Sequence, residues 1–191
     1  MKFLKWTVFT EGGMALIALL FICFFSIDAG IHFQFNGYQI LTAGGAALIL
    51  LAGYFILRLL PFSGLRNIEQ IVRDVFRQYM SGLSLQQLAA VSLLAGIGEE
   101  LLFRGFMQSG LCKISLPAWL SILLTSLLFG LAHAVTLTYF LLACVISIYL
   151  GWLLVWTDNM FVPIAVHALY DFFILLFIRQ TTQNPSAAVS E

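Results

Sequence analysis

Glu99-Glu100-Leu101-Leu102-Phe103-Arg104, Phe129-Gly130-Leu131-Ala132-His133 and His167-Ala168-Leu169-Tyr170-Asp171 place carboxylates, imidazoles and a guanidinium inside stretches otherwise apolar enough to span a membrane. Ionisable groups at membrane depth cost at least about 2.5–3.5 kcal/mol each on insertion scales, and they usually face an interior cavity. Their concentration in one small chain calls for a joint explanation, and hydrolytic chemistry within the membrane supplies one. On a helix, Glu100 and Arg104 share a face and can pair, while Glu99 points about 100° away from Glu100. The two adjacent carboxylates therefore receive different jobs. Arg104 neutralises Glu100, which makes its burial tolerable. Glu99 lacks that local partner and is suited to act as a general base toward water. His167 and Asp171 are also four apart and share a helical face. His133, His167 and Glu99, from three different helices, can surround one water molecule or one metal ion. Two histidines plus a carboxylate form a known catalytic zinc set; the same set without metal can activate water and stabilise a tetrahedral oxyanion. Taken singly, His133 reads as a packing residue and Asp171 as a partner in an interhelical hydrogen bond. The joint pattern is what points to a site.

The elements that must position these groups follow from composition. The chain has 191 residues, 61% hydrophobic and only 9% charged, against about 25% charged in average usage. This composition excludes an ordinary soluble domain and leaves a polytopic all-α membrane bundle. Net charge is zero, so no nucleic-acid partner is expected. Cys23, Cys112 and Cys144 have no metal or redox spacing and read as packing residues. The apolar run after Lys2 and Lys5 has no small-residue cleavage site, so it reads as a retained span.

Six segments are long enough to span, since about 20 residues cross a bilayer core. They are predicted near 9–27, 38–60, 84–111, 117–133, 136–156 and 161–178. Between the second and third, Leu65, Ile68, Ile71, Val72, Val75, Phe76 and Tyr79 recur at helical spacing among Arg66, Glu69, Arg73, Asp74 and Arg77. That pattern predicts an amphipathic helix, lying either in the interface plane or on the bundle. The expected organisation is two spans and the amphipathic helix over 1–83, a catalytic core over 84–179 and a disordered polar tail over 180–191. Lys2, Lys5, Arg58, Arg66, Arg73, Arg77 and Arg179 fall on one side and Lys113 on the other, which predicts both termini in the cytoplasm. Counting at 1.5 Å per residue puts Glu99 near mid-membrane but His133 near the cytoplasmic end. Tilted, broken or re-entrant helices must bring them together, as is allowed where irregular backbone lines a cavity. Gly96, Gly98, Gly105 and Gly130 flank the motifs and permit close helix approach.

The three segments, in this order, resemble the EExxxR, FxxxH and HxxxN or HxxxD motifs of the CAAX prenyl protease and bacteriocin-processing family, which gathers type II CAAX proteases and bacterial self-immunity (Abi) proteins. The resemblance covers about Ser84 to Ile178. It implies an intramembrane glutamate protease acting on a membrane-associated protein or peptide within the lipid bilayer. On that resemblance Glu99 activates water and His133 assists. Glu100 and Arg104 form a structural pair, and His167 and Asp171 hold the oxyanion. Eukaryotic members carry Asn where this chain has Asp171, and an ionised Asp cannot donate a hydrogen bond. Asp171 therefore is protonated, orients His167 or helps bind a metal. No cofactor is required on this reading; the alternative is a divalent metal such as zinc held by Glu99, His133 and His167. A non-catalytic immunity or scaffold protein is the second functional reading, and a proton or ion transporter the third. The compact chain points to a bacterial cytoplasmic membrane. Substrate and oligomeric state stay open at this stage.

Overall fold

The computed structural model describes residues 2–27 and 32–183. The described residues form helices and turns only: α1 (Lys2–Phe24), α2 (Gly37–Leu59), α3 (Ser63–Val75), α4 (Leu85–Glu100), α5 (Ser109–Lys113), α6 (Ala118–Ala132), α7 (Leu137–Thr157) and α8 (Phe161–Gln183). The predicted all-α polytopic bundle is what is found. Its boundaries follow local chemistry. Asn36 caps α2 by accepting from the Gln39 amide, and Thr136 caps α7 by accepting from the Tyr139 amide. Ser84 and Gln87 form a reciprocal capping box at the start of α4, so four backbone amides find side-chain acceptors. Pro61 follows the end of α2, and proline disfavours helical backbone in the residue before it.

Four helices, α1, α2, α7 and α8, are long and apolar enough to cross a membrane. The sharply bent pair Ser63–Met80 and Leu85–Lys113 makes a fifth if it is counted as one span. About six spans were expected; the difference lies in α6, whose 15 residues reach only about 22 Å, short of a hydrocarbon core of about 30 Å. Helix α8 continues through Gln183, so the expected tail does not start at Gln180; residues 184–191 lie outside the described residues. The chain is an integral membrane protein, with large apolar side chains such as Phe9, Leu41, Leu48 and Leu59 turned outward.

The predicted third span is one rod built in three pieces. Helix α4 passes without a break into a π-helical segment, Leu101–Gln108, and then into α5. Helix α4 packs between α1 and α8, and α8 also packs on α2. One core cluster joins α2, α7 and α8 through Ala43, Ala47, Leu150, Leu153, Val162 and Val166. A second joins Phe76, Met80, Leu83, Leu88, Val91 and Ile178. The amphipathic helix α3 is present, and it turns its apolar residues Leu65 and Ile68 into the bundle.

Candidate active site

The geometry starts from helix approach. A Cβ on Gly96 would stand 3.0 Å from the Ile164 carbonyl oxygen and 3.1 Å from the Ala168 amide. A Cβ on Gly98 would stand 2.6 Å from the Glu11 carbonyl oxygen. Glycine at both positions therefore lets α8 and α1 lie backbone-to-backbone against α4, one turn before the Glu-Glu pair. On the far side, a Cβ on Gly130 would collide with the Cys144 thiol, which fixes α6 tightly on α7. Gly105 meets Ile22 and Met160. All four glycines singled out in the sequence sit at helix crossings.

These crossings bring together every candidate residue. Glu100 and Arg104 are fully buried, with Arg104 Nε 3.1 Å from Glu100 Oε2. Arg104 Nη2 donates to the Ser147 carbonyl oxygen at 2.9 Å and lies 3.0 Å from its hydroxyl oxygen. Its guanidinium stands over the Phe129 ring, 5.2 Å from the centroid. The π-helical stretch assists this pairing. With its wider turn, residues four apart stay nearly in line, and the Ser109 hydroxyl donates to the Arg104 carbonyl five residues back. Glu100 Oε1 also accepts from His167 Nδ1 at 2.7 Å. The structural pair is thus a triad that holds the imidazole of α8.

His133 is held in the same way. Its Nδ1 donates to the Phe129 carbonyl oxygen at 2.8 Å, and its ring stacks on Phe129 at 4.4 Å between centroids. With both Nδ1–H groups committed, the two Nε2 atoms turn toward one point. Each lies 3.8 Å from Glu99 Oε2. That oxygen is buried and makes no hydrogen bond among the described residues. The Asp171 carboxylate completes the set, with Oδ2 3.5 Å from His167 Nε2. The short α6 resolves the depth problem posed by simple counting. It ends at Ala132 with His133 as its C-cap residue, and this end lies beside Glu99.

The cluster forms one wall of a cavity of about 530 Å³ between α2, α3, α7 and α8. Glu99, His133, His167 and Asp171 face it, and the opposite walls are apolar, with Ile49, Leu50, Leu57, Ile146 and Leu175 among them. Leu65, Ile68 and Val72 of α3 also line it, so the amphipathic helix covers the cavity. Zinc accepts donors of this type, yet no group of three or more His, Cys, Asp or Glu side chains among the described residues is arranged to hold a metal ion.

Two nearby residues escaped the sequence reading. Glu11 of α1 lies in the electrostatic field of His167 and Asp171, with Oε2 buried and unpaired among the described residues. An acid in the first apolar run was itself a signal. Tyr139 lines the cavity with its ring 5.9 Å from that of His133. A tyrosine near the start of a span reads as an interface anchor, so no local pattern marks it. His32 remains apart from the site and pairs loosely with exposed Asp158.

Comparison with known proteins finds two similarities. Residues 81–173 match the family model "Type II CAAX prenyl endopeptidase Rce1-like". The chain is 30% identical over 129 residues to the uncharacterized protein YpbD of Bacillus subtilis (strain 168), a match covering 66% of this chain and 61% of that relative. The chain thus matches about three fifths of the length of the curated relative. No solved structure matches the chain. All six clustered residues, Glu99 to Asp171, fall within the matched segment, so the part of the chain that carries them is similar to the Rce1-like type II CAAX prenyl endopeptidases.

Proposed function

We propose that this chain hydrolyses a peptide bond of a membrane-associated protein or peptide, with Glu99 as the general base. The observation that carries the reading is the unpaired, buried Glu99 Oε2 with two imidazole Nε2 atoms 3.8 Å away. A water molecule bound among these three groups gives one hydrogen to Glu99 and the other to His133 Nε2, which is an acceptor because Nδ1 carries the proton. Glu99 removes a proton as the water oxygen attacks the scissile carbonyl, and it later delivers that proton to the leaving amine nitrogen. His167, held at Nδ1 by Glu100, donates from Nε2 toward the oxyanion when doubly protonated. Asp171 sits beside that nitrogen as its orienting partner. The apolar cavity receives the substrate chain and keeps bulk water from the reacting atoms.

The test is cleavage of a library of membrane-anchored peptides by purified protein, wild type beside Glu99→Gln and His133→Ala, with and without chelator. Wild type is expected to cleave, with Glu99→Gln reduced by about 10²–10⁴-fold, the usual worth of a positioned base. Activity kept in chelator supports water activation by the carboxylate alone. Unchanged cleavage by both variants sinks the reading, and cleavage abolished by chelator moves Glu99, His133 and His167 into ligand roles.

A further inference from the structure

A tetrahedral oxyanion needs donors fixed where the charge develops, and this site is short of them. Asp171, when ionised, only accepts. His133 has Nδ1–H committed to Phe129 and offers a lone pair at Nε2. The Arg104 guanidinium engages Glu100 and Ser147 through Nε and Nη2; its Nη1 is unpaired among the described residues but buried, and Arg104 is not part of the cavity lining. His167 supplies one donor, and only in its doubly protonated form. The remaining polar groups of the cavity wall are Glu69, an acceptor, and four tyrosines: Tyr54, Tyr139, Tyr149 and Tyr170. Tyr54 donates to Glu69 at 2.7 Å, and Tyr149 donates to the Ala46 carbonyl oxygen at 3.2 Å.

Two phenols are left without a hydrogen bond among the described residues, and position separates them. The Tyr139 ring packs edge-on against that of His133, and its phenol lies in the field of both Glu99 and Asp171. Tyr170 interacts electrostatically with Asp171 and Tyr139, and Glu99 is not among the charges that act on it. The Thr136 cap holds the Tyr139 backbone in the first turn of α7, and the Gly130–Cys144 crossing holds α7 on the helix that carries His133.

We propose that the Tyr139 hydroxyl is the neutral oxyanion donor of this site, a catalytic residue that faces the scissile carbonyl across the cavity from Glu99. The inference rests on the hydrolytic reading above. As water adds, its proton passes to Glu99 and the carbonyl π pair moves onto oxygen. The Tyr139 O–H donates a hydrogen bond to that oxygen without giving up its proton. When the pair returns, the C–N bond breaks and Glu99 protonates the leaving nitrogen. The products are one carboxylic acid and one amine, and Tyr139 ends as it began. A neutral hydroxyl suits a site already holding several carboxylates, since it stabilises new negative charge without changing the resting charge.

Tyr139→Phe keeps the ring against His133 and removes only the donor. With a membrane-anchored peptide that wild type cleaves and Glu99→Gln does not, kcat is expected to fall about 10²–10³-fold, the usual cost of one lost oxyanion donor. KM and melting temperature should stay at the wild-type values. A second measurement needs no turnover: equilibrium binding of a dodecanoyl-peptide phosphonate, which mimics the tetrahedral oxyanion, beside the matching amide. Wild type should prefer the phosphonate, and Tyr139→Phe should lose at least about tenfold of that preference with amide affinity unchanged. Full kcat in Tyr139→Phe while Glu99→Gln is inactive overturns this inference and leaves the hydrolytic reading standing. So does an unchanged phosphonate preference, or none in wild type. Equal activity of wild type and Glu99→Gln overturns the hydrolytic reading itself.

Discussion

Arg104 is 1% exposed and Glu100 is not exposed at all, so their pairing contributes little net energy, because desolvation cancels most of the attraction. What the pair does contribute is position. Glu100 divides its two oxygens between Arg104 and His167, and Arg104 reaches across to α7 through Ser147. Removing one member strands a buried charge. Arg104→Met is therefore expected to destabilise the protein by about 3–5 kcal/mol, read as a lowered denaturant midpoint in detergent micelles. A Glu100→Gln, Arg104→Met double variant should be less destabilised than Arg104→Met alone. A single-variant midpoint equal to wild type would mean that the charge finds another partner. At this scale much was legible in the sequence. Four-residue spacing gave the Glu100–Arg104 and His167–Asp171 pairs, because helix geometry alone decides them. The Glu100–His167 bond was not legible, since it joins residues 67 positions apart. Nor was the role of Tyr139, which depends on where α7 lies relative to α6 and not on any local pattern.

Glycines on the bundle are not equivalent, and their surroundings sort them. Gly98 lies against the Glu11 backbone, so a Cβ there must move one helix off another. Gly53 of α2 lines the cavity, and a Cβ there meets nothing within 4 Å. Gly53→Ala should therefore stabilise α2 by about 0.8–1.0 kcal/mol through helix propensity and leave cleavage intact. Gly53→Leu should fold equally well but occupy the cavity, raising KM with little change in kcat. The rise expected is about 10–200-fold, the range for a misfit of one or a few methylenes in an apolar pocket. Gly98→Ala should instead lower stability and kcat together, because misplacing Glu99 by about 1 Å is enough to cost 10²-fold. Melting curves and steady-state kinetics on the three variants separate these outcomes. An unchanged KM in Gly53→Leu would show that substrate does not use this cavity. The helices themselves were foreseen, but two features of them were not. The π-helical turn after Glu100 has no composition signature. The shortness of α6 was also missed, because the apolar run of 117–133 looks like a span until the packing of its end against Glu99 is known.

Across the whole molecule, contacts gather the basic residues that the sequence placed on one side. Arg58 pairs with Glu69 of α3, Arg73 donates to Thr181 near the end of α8, and Arg179 donates to the Leu83 carbonyl oxygen. Phe3, near Lys2 and Lys5, stacks on Tyr79 in the same region. The N-terminal end of α1, the C-terminal ends of α2 and α8, and all of α3 therefore share one end of the bundle. Lys113 lies at the opposite end, where it donates to the Phe25 and Ser26 carbonyl oxygens that close α1. Basic residues mark the cytoplasmic side of a membrane protein, so we propose that α3 and both termini face the cytoplasm, with α3 covering the cavity from that side. Two single-cysteine chains test this orientation. One retains only Cys112, which is exposed next to Lys113; the other carries only Arg66→Cys, on the exposed face of α3. In intact spheroplasts a membrane-impermeant maleimide should label Cys112 and spare Arg66→Cys, and lysis should make the second site reactive. The opposite pattern would invert the molecule and put the covered side of the cavity outside the cell. The labelling also constrains the substrate, because the α3 side of the cavity carries Glu69 with Arg58 and Arg73 around it. A chain entering past α3 must cross that charged rim before its apolar part reaches Glu99.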